Sequence, residues 1–158
     1  MKALVVYYSR TGRTKQIAEE LTKNLTADIE EIIDTQKRSG LLGYLRSGYQ
    51  ARKRKLTVIK PCSKDPSHYD IVLVGTPMWY FKMATPVRTY LHQQKNLLPT
   101  VAFFCTYGGT KLEPTFAAME DLCGKKPVST LGVSTMQLIR GTYSEALNRF
   151  INELTKKE

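Results

Sequence analysis

Hydrophobic stretches of two different periodicities alternate along the chain. Residues 2–8 form a continuous apolar, β-branched and aromatic run, which is typical of a strand buried on both faces of a parallel sheet. In residues 14–25 four apolar side chains recur at helical spacing, which predicts a helix with Thr14 as its N-cap. Residues 27–33 alternate acidic with apolar side chains, as expected of a half-exposed edge strand. The chain therefore begins with a β-α-β unit.

The same alternation continues to the end of the chain. Strands are predicted at residues 71–75, 101–105 and 128–133, and helices at residues 86–93, at 113–122 with Gly124 as the C-cap residue, and from 142 or 144 to 154. Strands that alternate with helices favour one α/β domain over residues 1–158. We predict a doubly wound sheet of five parallel strands, in the order 2-1-3-4-5, with helices on both faces.

One segment interrupts this alternation. Residues 36–60 occupy the second crossover, and four apolar side chains fall on one face of a predicted helix there: Leu41, Leu42, Leu45 and Tyr49. Residues 35–64 hold nine Lys and Arg side chains and no acid, whereas the rest of the chain has 15 basic and 14 acidic residues. Nearly all of the net charge of +10 therefore lies in this basic segment.

The composition is typical of a soluble globular protein. Hydrophobic residues make up 42% of the chain and charged residues 24%, which excludes disorder as the main state. The apolar runs are far shorter than the roughly 20 residues that span a bilayer, and the N-terminus has no signal-peptide pattern, so we expect a cytoplasmic location. Cys62, Cys105 and Cys123 are odd in number and lack Cys-x-x-Cys spacing, which predicts reduced thiols rather than disulfides or a zinc site.

Three segments with candidate chemistry follow predicted strands one, three and four. In an open α/β sheet, ligands bind at the carboxyl ends of the strands, where the strand order reverses. The first segment consists of Ser9, Arg10, Thr11, Gly12, Arg13 and Thr14. Its hydroxyls, its glycine, its two arginines and the following helix N-terminus favour binding of a phosphate. The alternative is a Ser/Thr-rich turn that only caps the helix.

The other two segments carry aromatic rings and glycines. After strand three come Thr76, Pro77, Met78, Trp79, Tyr80 and Phe81. These large aromatic side chains fit a planar ligand, or else a loop that folds back over a helix. After strand four come Thr106, Tyr107, Gly108 and Gly109, where paired glycines permit either a close approach to a ligand or a tight turn. All three segments fall at the same edge of the predicted sheet, so one shared ligand site explains them best.

Other chemistries have no matching pattern in the chain. There is no Cys-x5-Arg phosphatase loop after strand one, and the P-loop, G-x-G-x-x-G and G-x-S-x-G motifs are absent. Tyr8 and Gly75 stand where a receiver domain would carry acidic residues. His68 and His92 are isolated. We therefore predict no metal ligand and no catalytic acid or base.

These three segments, together with the stretch TPVRTYL at residues 85–91, resemble those of flavodoxins and flavodoxin-like FMN proteins. The resemblance covers essentially the whole chain. It implies that FMN binds non-covalently, with its phosphate held by residues 9–14. Residues 77–81 would contact the isoalloxazine ring, with Trp79 or Tyr80 as the stacking partner, and residues 106–109 would close its other side or its pyrimidine edge.

Two positions depart from the family pattern. Arg13 stands where the family often has asparagine, and an extra cation favours a phosphate dianion. Phe81 and Lys82 occupy the place of a glycine-containing turn, and the bulky Phe81 is expected to resist a positive φ. The backbone rearrangement that accompanies flavin reduction in flavodoxins is therefore not expected here.

The resemblance leads to three functional hypotheses. The first is an FMN-binding electron-transfer protein that acts between other redox proteins. The second is an FMN-dependent oxidoreductase that acts on a quinone or a porphyrinogen, with NAD(P)H as a candidate electron donor. The third is a flavin-free interaction module that uses the basic segment. No side chain is predicted to act as a catalyst, because a flavin carries the redox chemistry itself.

The basic segment, residues 35–64, is predicted to be a docking surface. A run of like charges is often only a solvated helix and loop, but this run also carries an apolar face that either completes the core or meets another surface. The expected partner is an acidic redox protein or an anionic membrane surface. Nucleic acid is not expected, because the run contains no recognisable reading motif.

Overall fold

Five parallel strands form the central sheet of the protein. The computed structural model describes residues 1–36, 55–109 and 111–156, together with residues 42, 43, 45, 46, 49 and 53. In chain order the strands are β1 (Ala3–Tyr7), β2 (Asp28–Glu31), β3 (Ile71–Trp79), the short antiparallel β4 (Lys82–Met83), β5 (Thr100–Tyr107) and β6 (Thr130–Ser134). Their order is β2-β1-β3-β5-β6, and β4 pairs only with β3. Without this hairpin strand the order is the predicted 2-1-3-4-5, and the doubly wound fold is confirmed.

Helices cover both faces of the sheet. They are α1 (Arg13–Leu25), α2 (Thr85–Gln94), α3 (Glu113–Cys123), α4 (Thr135–Arg140) and α5 (Ser144–Thr155), and a 3-10 turn spans Pro66–His68. Successive side chains of a strand point to opposite faces, so each strand contributes to two cores. Val5 shares one core with the apolar faces of α1 and α5, whereas Leu4 and Val6 share the other with those of α2 and α3.

Two strands extend further toward the carboxyl edge than predicted. β3 continues past Gly75 to Trp79, and β5 continues past Cys105 to Tyr107, so part of each predicted loop is strand. The extension of β3 was not predicted because of Pro77. Proline has no N–H to donate to a ladder, so its presence argues against a central strand. In the fold, the β3–β4 hairpin and the β5 neighbour hold this stretch extended.

The hairpin turn at Tyr80 and Phe81 contradicts the expectation for Phe81. Tyr80 has φ 49° and Phe81 has φ 60°, so both lie in the left-handed region. A two-residue hairpin turn with positive φ at both positions matches the right-handed twist of its strands. Pairing of Trp79 with Lys82 therefore imposes on Phe81 a conformation that its side chain disfavours.

The basic segment is joined to the fold by a short antiparallel stem. Asp34 pairs with Ile59, the Thr35 amide donates to the Val58 carbonyl at 3.0 Å, and the Lys60 amide donates to the Ile33 carbonyl at 2.8 Å. Within the segment, residues 42, 43, 45, 46 and 49 are helical, in agreement with the predicted helix. Leu41 of that helix lies outside the described residues.

No helix in the described part of the chain is both long enough and apolar enough to cross a membrane.

Gly75 lets the ring of Phe104 pack directly against the backbone of β3. A Cβ built on Gly75 would lie 2.1 Å from Cζ of Phe104, an impossible contact. Phe104 is fully buried, so its ring has little room to move. We expect Gly75→Ala to lower the free energy of unfolding by about 1–3 kcal/mol, the usual cost of overpacking, as measured by urea denaturation.

The matched control for Gly75→Ala is the same change in a Phe104→Leu background. Removing the ring removes the clash, so the two substitutions should cost less together than the sum of their separate costs. An equal cost of Gly75→Ala in both backgrounds would show that the ring is not its cause.

Candidate functional site

A cleft at the carboxyl edge of the sheet brings the three predicted segments together. It is lined by Arg10, Thr11, Arg13, Pro77, Met78, Trp79, Tyr80, Thr106, Tyr107, Gly108 and Thr135. β1 and β3 are neighbours in the sheet, with β2 beyond β1 and β5 beyond β3, so the strand order reverses at this point. The cleft therefore lies where open α/β sheets bind their ligands.

The first wall of the cleft is the turn into α1. Gly12 is the N-cap residue with φ 88°, and its amide donates to the Ser9 hydroxyl at 3.1 Å. The prediction of Thr14 as the N-cap is wrong, because the left-handed turn at Gly12 starts the helix earlier and directs Thr14 inward. The Thr14 hydroxyl is buried and lies 2.8 Å from the Thr106 hydroxyl, which ties this turn to β5.

The start of α1 has the properties of an anion site. Among the residues that the structure describes, no side chain caps the first turn of α1, and that turn contains no acid. Its amide N–H groups and the positive end of the helix dipole therefore remain available to an outside acceptor. Arg10 and Arg13 line the cleft beside them and add two positive charges. This corner suits a phosphate group.

The second wall is aromatic and lies on the β3–β4 hairpin. The Trp79 side chain is buried, and its ring meets Tyr8 edge to face, with 5.6 Å between centroids and an interplanar angle of 88°. The Arg10 guanidinium lies 5.9 Å from the Trp79 ring centroid. Tyr80 and Phe81 stand at the rim, each about half exposed. Trp79 therefore belongs to a packed wall, and Tyr80 offers an exposed ring.

The third wall is the end of β5. Thr106, Tyr107 and Gly108 line the cleft, and a Cβ built on Gly109 would lie 3.6 Å from the Phe81 ring. Six predicted residues lie outside the lining: Ser9, Gly12, Thr14, Thr76, Phe81 and Gly109. Of these, Thr76 accepts a hydrogen bond at its hydroxyl from the Ala84 amide at 2.9 Å, which holds the base of the hairpin.

Thr135 is a lining residue that sequence analysis missed. It is the first residue of α4, which has a complete capping box between Ser134 and Gln137. The Thr135 hydroxyl donates to the Tyr107 carbonyl at 3.3 Å and accepts from Arg13 at 3.4 Å. The Ser-x-x-Gln pattern could have predicted the helix. Its position at the cleft depends on the pairing of β6 with β5, which no local pattern shows.

Titratable groups are absent from the described lining of the cleft, apart from the arginines and the two tyrosines. Burial raises the pKa of the Cys105 thiol, on β5, to about 12, so this thiol stays protonated at neutral pH and is a poor nucleophile. His68 and His92 are both exposed on other parts of the surface. Within the described residues no group of three or more His, Cys, Asp and Glu side chains could hold a metal ion. The cleft thus offers positive charge, hydroxyls and aromatic rings.

Similar proteins with solved structures share this architecture. A flavoprotein from Lactobacillus acidophilus NCFM, solved in complex with FMN, is 26% identical, with a TM-score of 0.70 over 90% of this chain and 98% of that chain. The NMR structure of the apo-form of the flavoprotein from Lactobacillus acidophilus NCFM has 26% identity and a TM-score of 0.64 over 84% and 90%. A putative flavoprotein from Bacteroides eggerthii DSM 20697 is 22% identical, with a TM-score of 0.72 over 92% and 97%.

Sequence comparison gives the family directly. A search of curated protein sequences found no match. A sequence model of the family described as Flavodoxin matches residues 2–153, which is nearly the whole chain. With the strand order β2-β1-β3-β5-β6 and a cleft at its switch point, this match shows that the chain belongs to the flavodoxin family.

Proposed function

We propose that this chain binds FMN non-covalently in the cleft and acts as an electron-transfer flavoprotein. The observation that carries the proposal is the uncapped start of α1, with Arg10 and Arg13 in the same cleft as the aromatic side chains of Trp79 and Tyr80. A phosphate and a planar ring are the two parts of FMN that these features fit. The FMN complex of the 26% identical relative supports the same ligand.

The residues of the cleft divide between the two ends of the ligand. Thr11 and the first-turn amides of α1 would hold the phosphate, with Arg10 and Arg13 balancing its charge. Trp79 and Tyr80 would contact the ring, and the backbone at residues 106–108 would approach its edge. Bound FMN supplies the redox chemistry, while the chain binds it, orients it and limits its contact with water.

Arg10 links the phosphate corner to the aromatic wall. Its guanidinium lies over Trp79, so it places a positive charge close to where the ring would bind. A positive charge about 10 Å away, at an effective dielectric constant near 20, favours one added negative charge by about 1–2 kcal/mol. Arg10→Gln should therefore make the two-electron midpoint potential of bound FMN more negative by about 20–40 mV.

Dye-coupled potentiometry measures this shift. Arg149→Gln is the matched control, because it changes the net charge by the same amount as Arg10→Gln. Arg149 is exposed on α5, and among the described ion pairs it pairs only with Glu145. An equal shift in both variants would assign the effect to net charge and not to the position of Arg10.

Titration of the purified chain with FMN tests the proposed function. We expect saturable 1:1 binding, with quenched flavin fluorescence and a perturbed absorption band near 450 nm, roughly the usual position of oxidised flavin bands. Absence of both signals at FMN concentrations of up to roughly 1 mM, a weak-binding limit, would refute the proposal and favour the flavin-free module.

An FMN-dependent oxidoreductase remains the second candidate, because exposed apolar side chains lie on two elements that contribute to the cleft, the β3–β4 hairpin and α4. Tyr80 and Phe81 on the hairpin and Met136 and Ile139 on α4 are all at least half exposed. Such a rim suits a small aromatic substrate such as a quinone. Steady turnover of NAD(P)H with a quinone would support this role, whereas electron exchange with a redox protein alone would support the carrier.

A further inference from the structure

The basic segment is held to the fold by contacts on both sides of its stem. The Thr57 hydroxyl donates to Asp34 at 3.1 Å across the stem, and the Thr57 amide donates to the buried Thr89 hydroxyl of α2 at 3.0 Å. The stem begins just after β2, where the Ile32 amide donates to the Tyr7 carbonyl at 2.7 Å. It therefore leaves the fold at the carboxyl edge of the sheet, the edge that carries the cleft.

The described residues of the apolar face predicted for the segment do not complete the core. Leu42 is 83% exposed, and Leu45 and Tyr49, which follow at helical spacing, are each more than half exposed. Val58 of the stem is 66% exposed, and Leu56 is nearly half exposed. These five side chains expose apolar surface that the described part of the fold leaves uncovered.

Basic side chains lie next to these apolar ones. Arg46, Lys53 and Lys55 are exposed, and the Lys55 ammonium lies 5.2 Å from the Tyr49 ring centroid. A cation packed against an exposed ring allows the ring to enter an apolar layer while the charge stays in the polar layer above it. Exposed cations beside exposed apolar side chains form the arrangement of an interfacial amphipathic element. The sequence of residues 35–64 contains nine basic residues in all.

We propose that the surface formed by the described residues Leu42, Leu45, Arg46, Tyr49, Lys53, Lys55, Leu56 and Val58 docks the chain on an anionic lipid bilayer. The positive charges complement anionic headgroups, and the exposed side chains of Leu42, Leu45 and Tyr49 fit the boundary between headgroups and acyl chains. Exposed cations beside exposed apolar side chains match the pattern of an interfacial element, and an acidic protein with an apolar patch is the alternative occupant that vesicle binding tests. The proposal does not depend on FMN binding, because none of these residues lines the cleft.

Vesicle co-sedimentation of the full chain, incubated with FMN, tests the proposal. We expect binding to phosphatidylcholine vesicles that contain phosphatidylglycerol and no binding to phosphatidylcholine alone. Binding should fall steeply between about 50 and about 500 mM salt, as screening shortens the range of the charges. The triple variant R46E/K53E/K55E should lower the partition coefficient by at least about tenfold, given roughly 1 kcal/mol for each basic residue near the surface.

The matched charge control is K23E/K126E/K156E, which changes the net charge equally on exposed residues. These lysines lie at or after the C-terminal ends of α1, α3 and α5, and so at the opposite edge of the sheet. Their reversal should alter vesicle binding less than about twofold at moderate salt, because most of that charge lies beyond a screening length. An equal loss in both triple variants would overturn the proposal in favour of attraction by net charge.

A second variant distinguishes binding to a bilayer from binding to an acidic protein. L42Q/L45Q/Y49Q keeps every charge but removes the apolar face, and it should lower vesicle binding by at least about tenfold. Unchanged vesicle binding of this variant would refute insertion of the apolar face and leave a purely electrostatic partner. Failure of the unaltered chain to bind either kind of vesicle would refute docking on a bilayer. Unchanged midpoints of urea denaturation in the triple variants would confirm that they are folded, so a failure of FMN to bind would bear only on the proposed function.

Discussion

Riboflavin is expected to bind this chain about 10²- to 10⁴-fold more weakly than FMN. The two ligands differ only by the phosphate, to which the uncapped first turn of α1 and the neighbouring arginines would donate hydrogen bonds. Two hydrogen bonds to a charged group, at about 1.5–3 kcal/mol each, account for a difference of this size. Parallel fluorescence titrations with the two flavins measure it.

Arg13→Gln tests whether the preference for FMN over riboflavin arises at the start of α1. This substitution should weaken FMN by about tenfold or more but leave riboflavin nearly unchanged, because only FMN carries the dianion. Arg149→Gln serves again as the control for net charge. Equal affinities for the two flavins, or equal losses for both ligands in Arg13→Gln, would place the phosphate elsewhere.

A Tyr80→Asn/Phe81→Gly variant is expected to lose FMN affinity without losing stability. Both residues occupy left-handed backbone conformations, which cost a bulky residue about 1–2 kcal/mol. Asn-Gly is the preferred sequence for such a turn, so the hairpin itself should gain stability. The rings, however, stand at the cleft mouth, and their loss should weaken FMN by about 10- to 100-fold through lost stacking and burial.

Two measurements together distinguish a binding role for these rings from a structural one. Thermal unfolding of the FMN-free variant should occur at an unchanged or higher temperature, while its FMN affinity falls. Leu97→Asn, a change at an exposed apolar residue just after α2, should leave the affinity unaltered. Full FMN affinity in the double variant would show that the aromatic turn serves neither stacking nor shielding.

Bringing the cleft to a bilayer would link the two proposals. The stem of the basic segment leaves the sheet at its carboxyl edge, which is also the edge that carries the cleft. A lipid-soluble quinone would then be within reach of the apolar cleft mouth. Quinone reduction that depends on anionic vesicles and on Leu42, Leu45 and Tyr49 would favour the oxidoreductase over the carrier.

Periodicity in the sequence determined the order and type of the main elements. Buried strands have continuous apolar sequences because helices cover both of their faces. Helices have apolar residues at a spacing of about 3.6 because each helix buries one face. These signals are local, so they predicted the fold class and placed three candidate segments at one edge. The C-cap at Gly124, with φ 68°, followed from the same local reasoning.

The tertiary structure alone decided how those segments form a cleft. β3 continues through Pro77 because β4 and β5 pair with it, and the strand pairing of that hairpin sets the positive φ of Tyr80 and Phe81. Thr14 faces Thr106, 92 positions away along the chain, and Thr135 reaches the cleft because β6 lies beside β5. Each of these features depends on residues that are distant in the sequence, whereas hydrophobic periodicity reflects only residues that are close in the sequence.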